Sequence, residues 1–273
     1  MSNSWPQLAG VHPAKANVAR VYDYWLGGTH NFVADREVGQ RMATLDPWIP
    51  AACRANREFL GRVVRFLAMQ CGVRQFLDIG SGIPAAGNVH EISQQAAPDA
   101  SVLYVDHDQV AVALSQELLA CNSRAGIIQA DLRKPETIFC HPALGKLIDL
   151  TKPIGVLFIS ILHFVVDAED PYGIVARYRE AVAPGSYLVV SHATNQDNPQ
   201  LATAAEKLYT ARAANGKARS REEILHFFGG WPLAEPGLAY APMWRPDTPG
   251  DVPDQPERFW FLAGAARKPE TPA

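Results

Sequence analysis

Five short apolar runs, with helical periodicity between them, limit most sharply what this chain can fold into. The runs cover 75–79, 102–105, 126–129, 154–159 and 187–190, and the helical stretches between them cover about 87–97, 108–121, 135–147 and 171–183. Strand and helix alternating at this spacing predict a parallel sheet joined by crossover helices. The runs are continuously apolar rather than alternating, as strands covered on both faces must be.

The flanks complete the outline. Residues 1–12 read as a loose tail. Helices are expected over 13–26, from Asp35 to Leu45, and over 51–70, where Phe59, Leu60, Val63, Val64, Phe66 and Leu67 make an apolar stripe. After His192 comes a helical insert, with an Ala-rich helix over 202–214 and a capping box at Ser220 and Glu223. Two last strands, 233–240 and 259–263, have no helix between them, so they predict an antiparallel hairpin at one sheet edge with one strand inserted beside the rest. The expected fold is α/β and Rossmann-like: a seven-stranded, mostly parallel sheet with an antiparallel edge hairpin and an N-terminal helical lid. The expected division is a lid over 1–72 and a ligand-binding domain over 73–269, with the insert at about 198–230.

Composition narrows the function. Of 273 residues, 25 are basic and 28 acidic, a net charge of −3, so nothing favours a nucleic-acid partner. Cys53, Cys71, Cys121 and Cys140 are scattered with no C-x-x-C pair, which predicts a reduced cytoplasmic setting without disulfides or zinc. The N-terminus lacks a secretory pattern, and no apolar stretch is long enough to span a membrane.

The chemistry concentrates at the strand ends. Phe76-Leu77-Asp78-Ile79-Gly80-Ser81-Gly82 runs from an apolar strand into a Gly-x-Gly turn, where the backbone can approach a ligand closely. Asp78 suits a cationic ligand end such as an α-ammonium and would sit poorly beside a pyrophosphate. Asp106 ends the second strand and can accept both hydroxyls of a ribose. Asp131 ends the third and can accept from an adenine amino group, with Leu132 packing the ring. Each acid alone could do no more than cap a following helix. Together they point into the crevice where doubly wound sheets bind ligands.

These residues resemble those of class I S-adenosylmethionine-dependent methyltransferases. More closely, the chain resembles the actinobacterial "S-adenosyl methyltransferase" family. The matching segments are 19–28 (ARVYDYWLGG), 31–35 (NFVAD), 75–84, 88–91 (NVHE), 105–108, Ala130-Asp131, 162–164, 184–188 and 267–269, so the likeness runs over about 13–269. It implies S-adenosylmethionine as cofactor. Asp78, Gly80 and Gly82 would hold its methionine part, Asp106 the ribose, and Asp131 the adenine. Ser81, His107, Leu132 and Ser160 would add cofactor contacts, and Asn88 would shape the loop or bond the cofactor. The N-terminal helices, with Tyr22, Gly27, Gly28 and Asn31, would fold over the pocket. Many class I enzymes have a third glycine where this chain has Pro84, which the first turn of a helix tolerates.

A sulfonium methyl is already activated, so the protein must align an acceptor, exclude water and often take a proton. His163 and His192, after the fourth and fifth strands, are the candidate bases. Tyr22 is a third catalytic candidate. Trp25, Phe32, Trp48 and Phe164 are candidates for an aromatic wall, although such residues are often simply core. No metal constellation is visible. The expected acceptor is a small aromatic or heteroaromatic metabolite or natural product, such as an indole, phenol or amine. Three rival readings are a non-catalytic S-adenosylmethionine sensor, a nicotinamide-dependent oxidoreductase, against which Asp78 and Asp131 both argue, and a nucleic-acid methyltransferase, against which the charge balance and the lack of an Asn/Asp-Pro-Pro-Tyr/Phe motif argue. A homodimer through the N-terminal helices is a further expectation.

Overall fold

The computed structural model describes residues 12–85 and 87–270. The expected tail at 1–12 therefore lies outside the described residues, save for His12. Seven strands form one sheet: β1 (Gln75–Ile79), β2 (Ser101–Asp106), β3 (Ala125–Gln129), β4 (Gly155–Ile159), β5 (Tyr187–Ala193), β6 (Ala239–Tyr240) and β7 (Phe261–Arg267). Their order is β3-β2-β1-β4-β5-β7-β6. The first five are parallel, with Leu77 opposite both Leu103 and Val156. β7 runs antiparallel between β5 and β6, as the inserted-strand expectation required. The order reverses direction between β1 and β4, so their carboxyl ends open a crevice there.

Helices α1 (Val18–Trp25), α2 (Val33–Leu45) and α3 (Ile49–Met69) precede the sheet. Crossovers are α4 (Val89–Ala96), α5 (Gln109–Leu119), α6 (Pro135–Phe139), α7 (Leu144–Leu147) and α8 (Pro171–Ala181); the insert holds α9 (Pro199–Arg212) and α10 (Arg221–His226). The apolar stripe of α3 lies against the sheet: Phe59, Leu60, Val63, Val64 and Leu67 share one core with Phe76, Val102 and Leu157. Each such buried side chain contributes about 1.5–3 kcal/mol. Val21 and Trp25 of α1 and Val38 and Met42 of α2 join that core. A second core covers the other sheet face, with Leu77, Leu103, Val156 and Val190 against Ile174, Val175 and Tyr178 of α8. Among the described residues no helix is long and apolar enough to cross a membrane.

Two expected elements break where proline stands. The helix over 135–147 is split into α6 and α7, because Pro142 lies in the gap and cannot donate to a helical ladder. The strand over 233–240 shrinks to β6 plus one bridge from Leu233 to Ala266; Pro236 has no N–H to give the sheet, and Gly237 turns the chain at φ +86°. The last strand also starts two residues later and runs further than expected, because Trp260 sits at φ +60° and ends the preceding turn.

Candidate active site

One cavity opens where β1, β2 and β4 end beneath α1, α3 and α9. Its floor is the turn after β1. Gly80 and Gly82 have φ of +71° and +68°, and a Cβ on Gly80 would lie 2.3 Å from the side chain of Ile161, so the β4 turn can close on it only because Gly80 has none.

Asp78 is 5% exposed and lines this cavity. Among the described residues its carboxylate accepts no hydrogen bond, and burial pushes its pKa up to about 7 despite the opposing charge of Arg57. On the same floor two polar atoms, Ser81 Oγ and Arg57 Nε, are buried without a partner. A buried carboxylate that accepts no hydrogen bond, near a guanidinium with a spare donor, calls for a charged partner to offset its desolvation. It is what a zwitterionic α-amino acid would satisfy. The orphaned groups thus fit the methionine end of S-adenosylmethionine. Asp106 accepts from Gly82 N at 2.7 Å and Asp108 N at 2.8 Å, which leaves lone pairs on both oxygens free. His107, with an exposed ring, lines the same rim.

The remaining expected cofactor residues divide. Ser160 lines the cavity, held at φ +56° by its N–H to Ser191 O (3.1 Å) and Oγ (3.0 Å). Leu132 lines an adjoining cavity with Val18, His107 and Arg133. Asp131 lines neither; it turns to Arg133 at 3.2 Å, because that guanidinium is its nearest cation. Asn88 shapes the loop, accepting from Ala85 N (3.3 Å) and Arg57 Nη2 (3.2 Å). Gly28 and Asn31 stand behind the wall: Asn31 Nδ2 donates to Asp23 Oδ2 (2.8 Å) and Gly28 O (2.9 Å), and a Cβ on Gly28 would collide with that Asp23 carboxylate. They hold Asp23, which does line the cavity.

The three proposed bases fare differently. Tyr22 lines the cavity, but its hydroxyl donates to Cys53 O (2.9 Å) and accepts from Asn56 (3.0 Å), and burial drives its pKa well above the ordinary phenol value. The geometry gives it no free proton-accepting role. His192 is wholly buried outside the cavity, and both ring nitrogens are engaged, with Ala193 O (2.7 Å) and Arg219 (2.9 Å). That geometry removes it from contact with an acceptor. His163 does line the cavity. Its Nδ1 is buried without a partner, which leaves Nε2 as the nitrogen open to the cavity. Burial, reinforced by Arg219, holds it neutral with a pKa pushed down to about 3.

The aromatic wall is built partly from unexpected residues. Trp25 and Phe164 belong to it, whereas Phe32 packs under Arg20 and Trp48 against Phe259. Tyr209 of α9 joins Trp25 (ring centroids 6.3 Å) to Phe164 (5.7 Å), which packs at a tilt against His163 (4.3 Å), itself beside Phe261 (6.2 Å). Arg57 and Tyr209 were missed from sequence. Arg57 is a basic residue set one turn before Leu60 on the buried stripe of α3, and Ala202, Ala205 and Tyr209 share one face of α9; those spacings were the available signals.

α1 and α2 close over the crevice. The Asn17 side chain caps α1 and donates to Asp108 Oδ2 at 2.8 Å, tying the lid to the end of β2. The corner between α1 and α2 is fixed by a buried pair, Arg20 Nε to Asp35 Oδ2 at 2.8 Å.

Comparison with known proteins agrees with this geometry. A family model described as S-adenosyl methyltransferase matches residues 6–269. Among curated proteins none matches. A candidate methyltransferase from Thermobifida fusca YX is similar at 37% identity and TM-score 0.89, over 94% of this chain and 96% of that one. A DUF574 family protein from Streptomyces avermitilis MA-4680 is similar at 40% identity and TM-score 0.89, over 93% and 98%. The plantazolicin methyltransferase BpumL, solved with S-adenosylhomocysteine, shares 12% identity at TM-score 0.52 over 92% and 95%, a likeness of fold alone. This chain belongs to the S-adenosyl methyltransferase family, with the fold of the class I enzymes and S-adenosylmethionine as its cofactor.

Proposed function

We propose that this S-adenosylmethionine-dependent methyltransferase acts on a small aromatic or heteroaromatic acceptor of the indole, phenol or amine type. The observation that carries this reading is the continuous wall from Trp25 through Tyr209, Phe164 and His163 to Phe261, in the same cavity as Asp78. Such a wall favours a flat ring.

The bound cofactor supplies a methyl group already activated by its sulfonium. Asp78 binds the α-ammonium and Arg57 the carboxylate of its methionine end, and Asp106 accepts from the ribose hydroxyls. Leu132 packs the adenine. The wall orients the acceptor, while α1, α2 and α9 exclude water from it. His163 offers Nε2 as a hydrogen-bond acceptor to the acceptor's polar atom and so orients it toward the methyl group.

The test is a panel of indoles, phenols, aromatic amines and aliphatic acids, incubated with cofactor and read by mass spectrometry for one added methyl. Turnover is expected in an aromatic class, with Tyr209→Ala raising KM about tenfold, the equivalent of one lost aromatic contact of about 1.4 kcal/mol. Turnover confined to aliphatic acids overturns the reading.

A further inference from the structure

The buried side chain that fastens the insert to the turn carrying His163 is Arg219. Arg219 is 0% exposed. Its Nη1 donates to Leu162 O (3.2 Å), and its Nη2 donates to Val165 O (2.9 Å) and Asp167 Oδ1 (2.9 Å). The two carbonyls flank His163 on either side along the chain. Lys217 N donates to the carbonyl of His163 itself at 2.8 Å. The guanidinium lies over the rings of Phe227 (5.4 Å) and Tyr172 (5.8 Å), which fix its plane.

The same Nη1 lies 2.9 Å from His192 Nε2. A guanidinium has only donors. His192 must therefore accept at Nε2 and carry its single proton on Nδ1, which donates to Ala193 O at 2.7 Å. This neutral ring meets His163 edge-on, with centroids 5.6 Å apart.

We propose that Arg219 is a positioning residue for His163: it clasps the turn on both sides and fixes the tautomer of the imidazole behind it. The role given to His163 rests on the methyltransfer reading above. The charged and titratable surroundings are consistent with a neutral His163. Lys217 directs its ammonium to Asp167 and Glu223, and Glu206 accepts from Ala218 N. Tyr209 and Asp78 line other parts of the cavity. Among the described residues no carboxylate bonds the His163 ring. Burial lowers the pKa of both histidines, and the Arg219 charge adds to it.

The test is nitrogen NMR of the full chain with labelled histidine rings, in the presence of S-adenosylmethionine. In the wild type His192 is expected to show the Nδ1–H pattern, and His163 to stay uncharged from about pH 8 down to about pH 5, the range in which a solvated histidine titrates. Arg219→Gln, whose amide can accept as well as donate, is expected to give a mixed His192 pattern. Arg219→Lys keeps a charge that can only donate, so it should retain the Nδ1–H pattern of His192 and leave His163 uncharged. Cofactor affinity by calorimetry should stay within roughly threefold in both, since Arg219 does not line the cavity and bonds neither Asp78 nor Asp106. An Nε2–H pattern on wild-type His192 overturns the proposal without any variant. So does a folded Arg219→Gln protein with both histidine signals unchanged. Failure of the wild type to bind cofactor would instead overturn the cofactor assignment, and leaves the tautomer result readable.

Discussion

Asp78 meets two opposed demands. Folding buries a carboxylate with no partner, while ligand binding needs it charged. Its folded pKa of about 7 lies above the ordinary 3.8. The folded protein without cofactor therefore holds this proton more tightly than the unfolded chain does. Stability from this group is present below the ordinary value and is lost as pH rises toward about 7. Cofactor binding has the opposite sign, because an ammonium is bound by the carboxylate form. Affinity should fall as pH drops below about 7, approaching tenfold per unit, as calorimetry across pH would measure. Asp78→Asn should flatten that dependence and weaken binding by roughly 10- to 100-fold, the worth of a charged hydrogen bond. The same variant should raise the denaturation midpoint of the cofactor-free protein, since it removes an unpartnered buried charge. Single residues were legible in sequence where a strand end dictated them, as with Asp78, Gly80 and Asp106. They were not legible where a distant partner consumes the side chain. Nothing near Tyr22 in sequence announces Cys53 and Asn56, and nothing near His192 announces Arg219.

Helices α1 and α2 depend on one buried corner. Asp35 is 0% exposed and accepts from Arg20 Nε (2.8 Å), Asn17 N (2.8 Å) and Phe32 N (2.7 Å). Asp35→Ala leaves the Arg20 charge buried and uncompensated, so it should destabilise the protein by about 3–5 kcal/mol in urea titration. Cofactor binding should weaken with it, because Asn17 loses its backbone anchor and with it the register that meets Asp108. The periodic elements were readable because burial writes itself into spacing; α3 and the five parallel strands are the clear cases. α6, α7 and β6 were misjudged because apolar content persists through Pro142 and Pro236 while hydrogen-bonding capacity does not.

The N-terminal helices share one core with one face of the sheet. Phe59 of α3 is 0% exposed and packs edge-on against Trp244 at 5.3 Å, and Arg62 reaches the carbonyls of Trp244 (3.0 Å) and Ala241 (2.7 Å). Phe59→Ala should cost about 3–5 kcal/mol. Far-ultraviolet and tryptophan signals should shift together in denaturant, whereas an independent cap would separate them. The position of β7 also bears on how the chain is made. β5 must wait for residues 261–267 before its second edge is covered. During synthesis the stretch Tyr187–Ala193 is an apolar, unpaired edge on a nascent chain, open to other nascent chains. Synthesis slowed between residues 193 and 261 would prolong that exposure, making translation speed and chaperone supply, rather than equilibrium stability, the limit on yield.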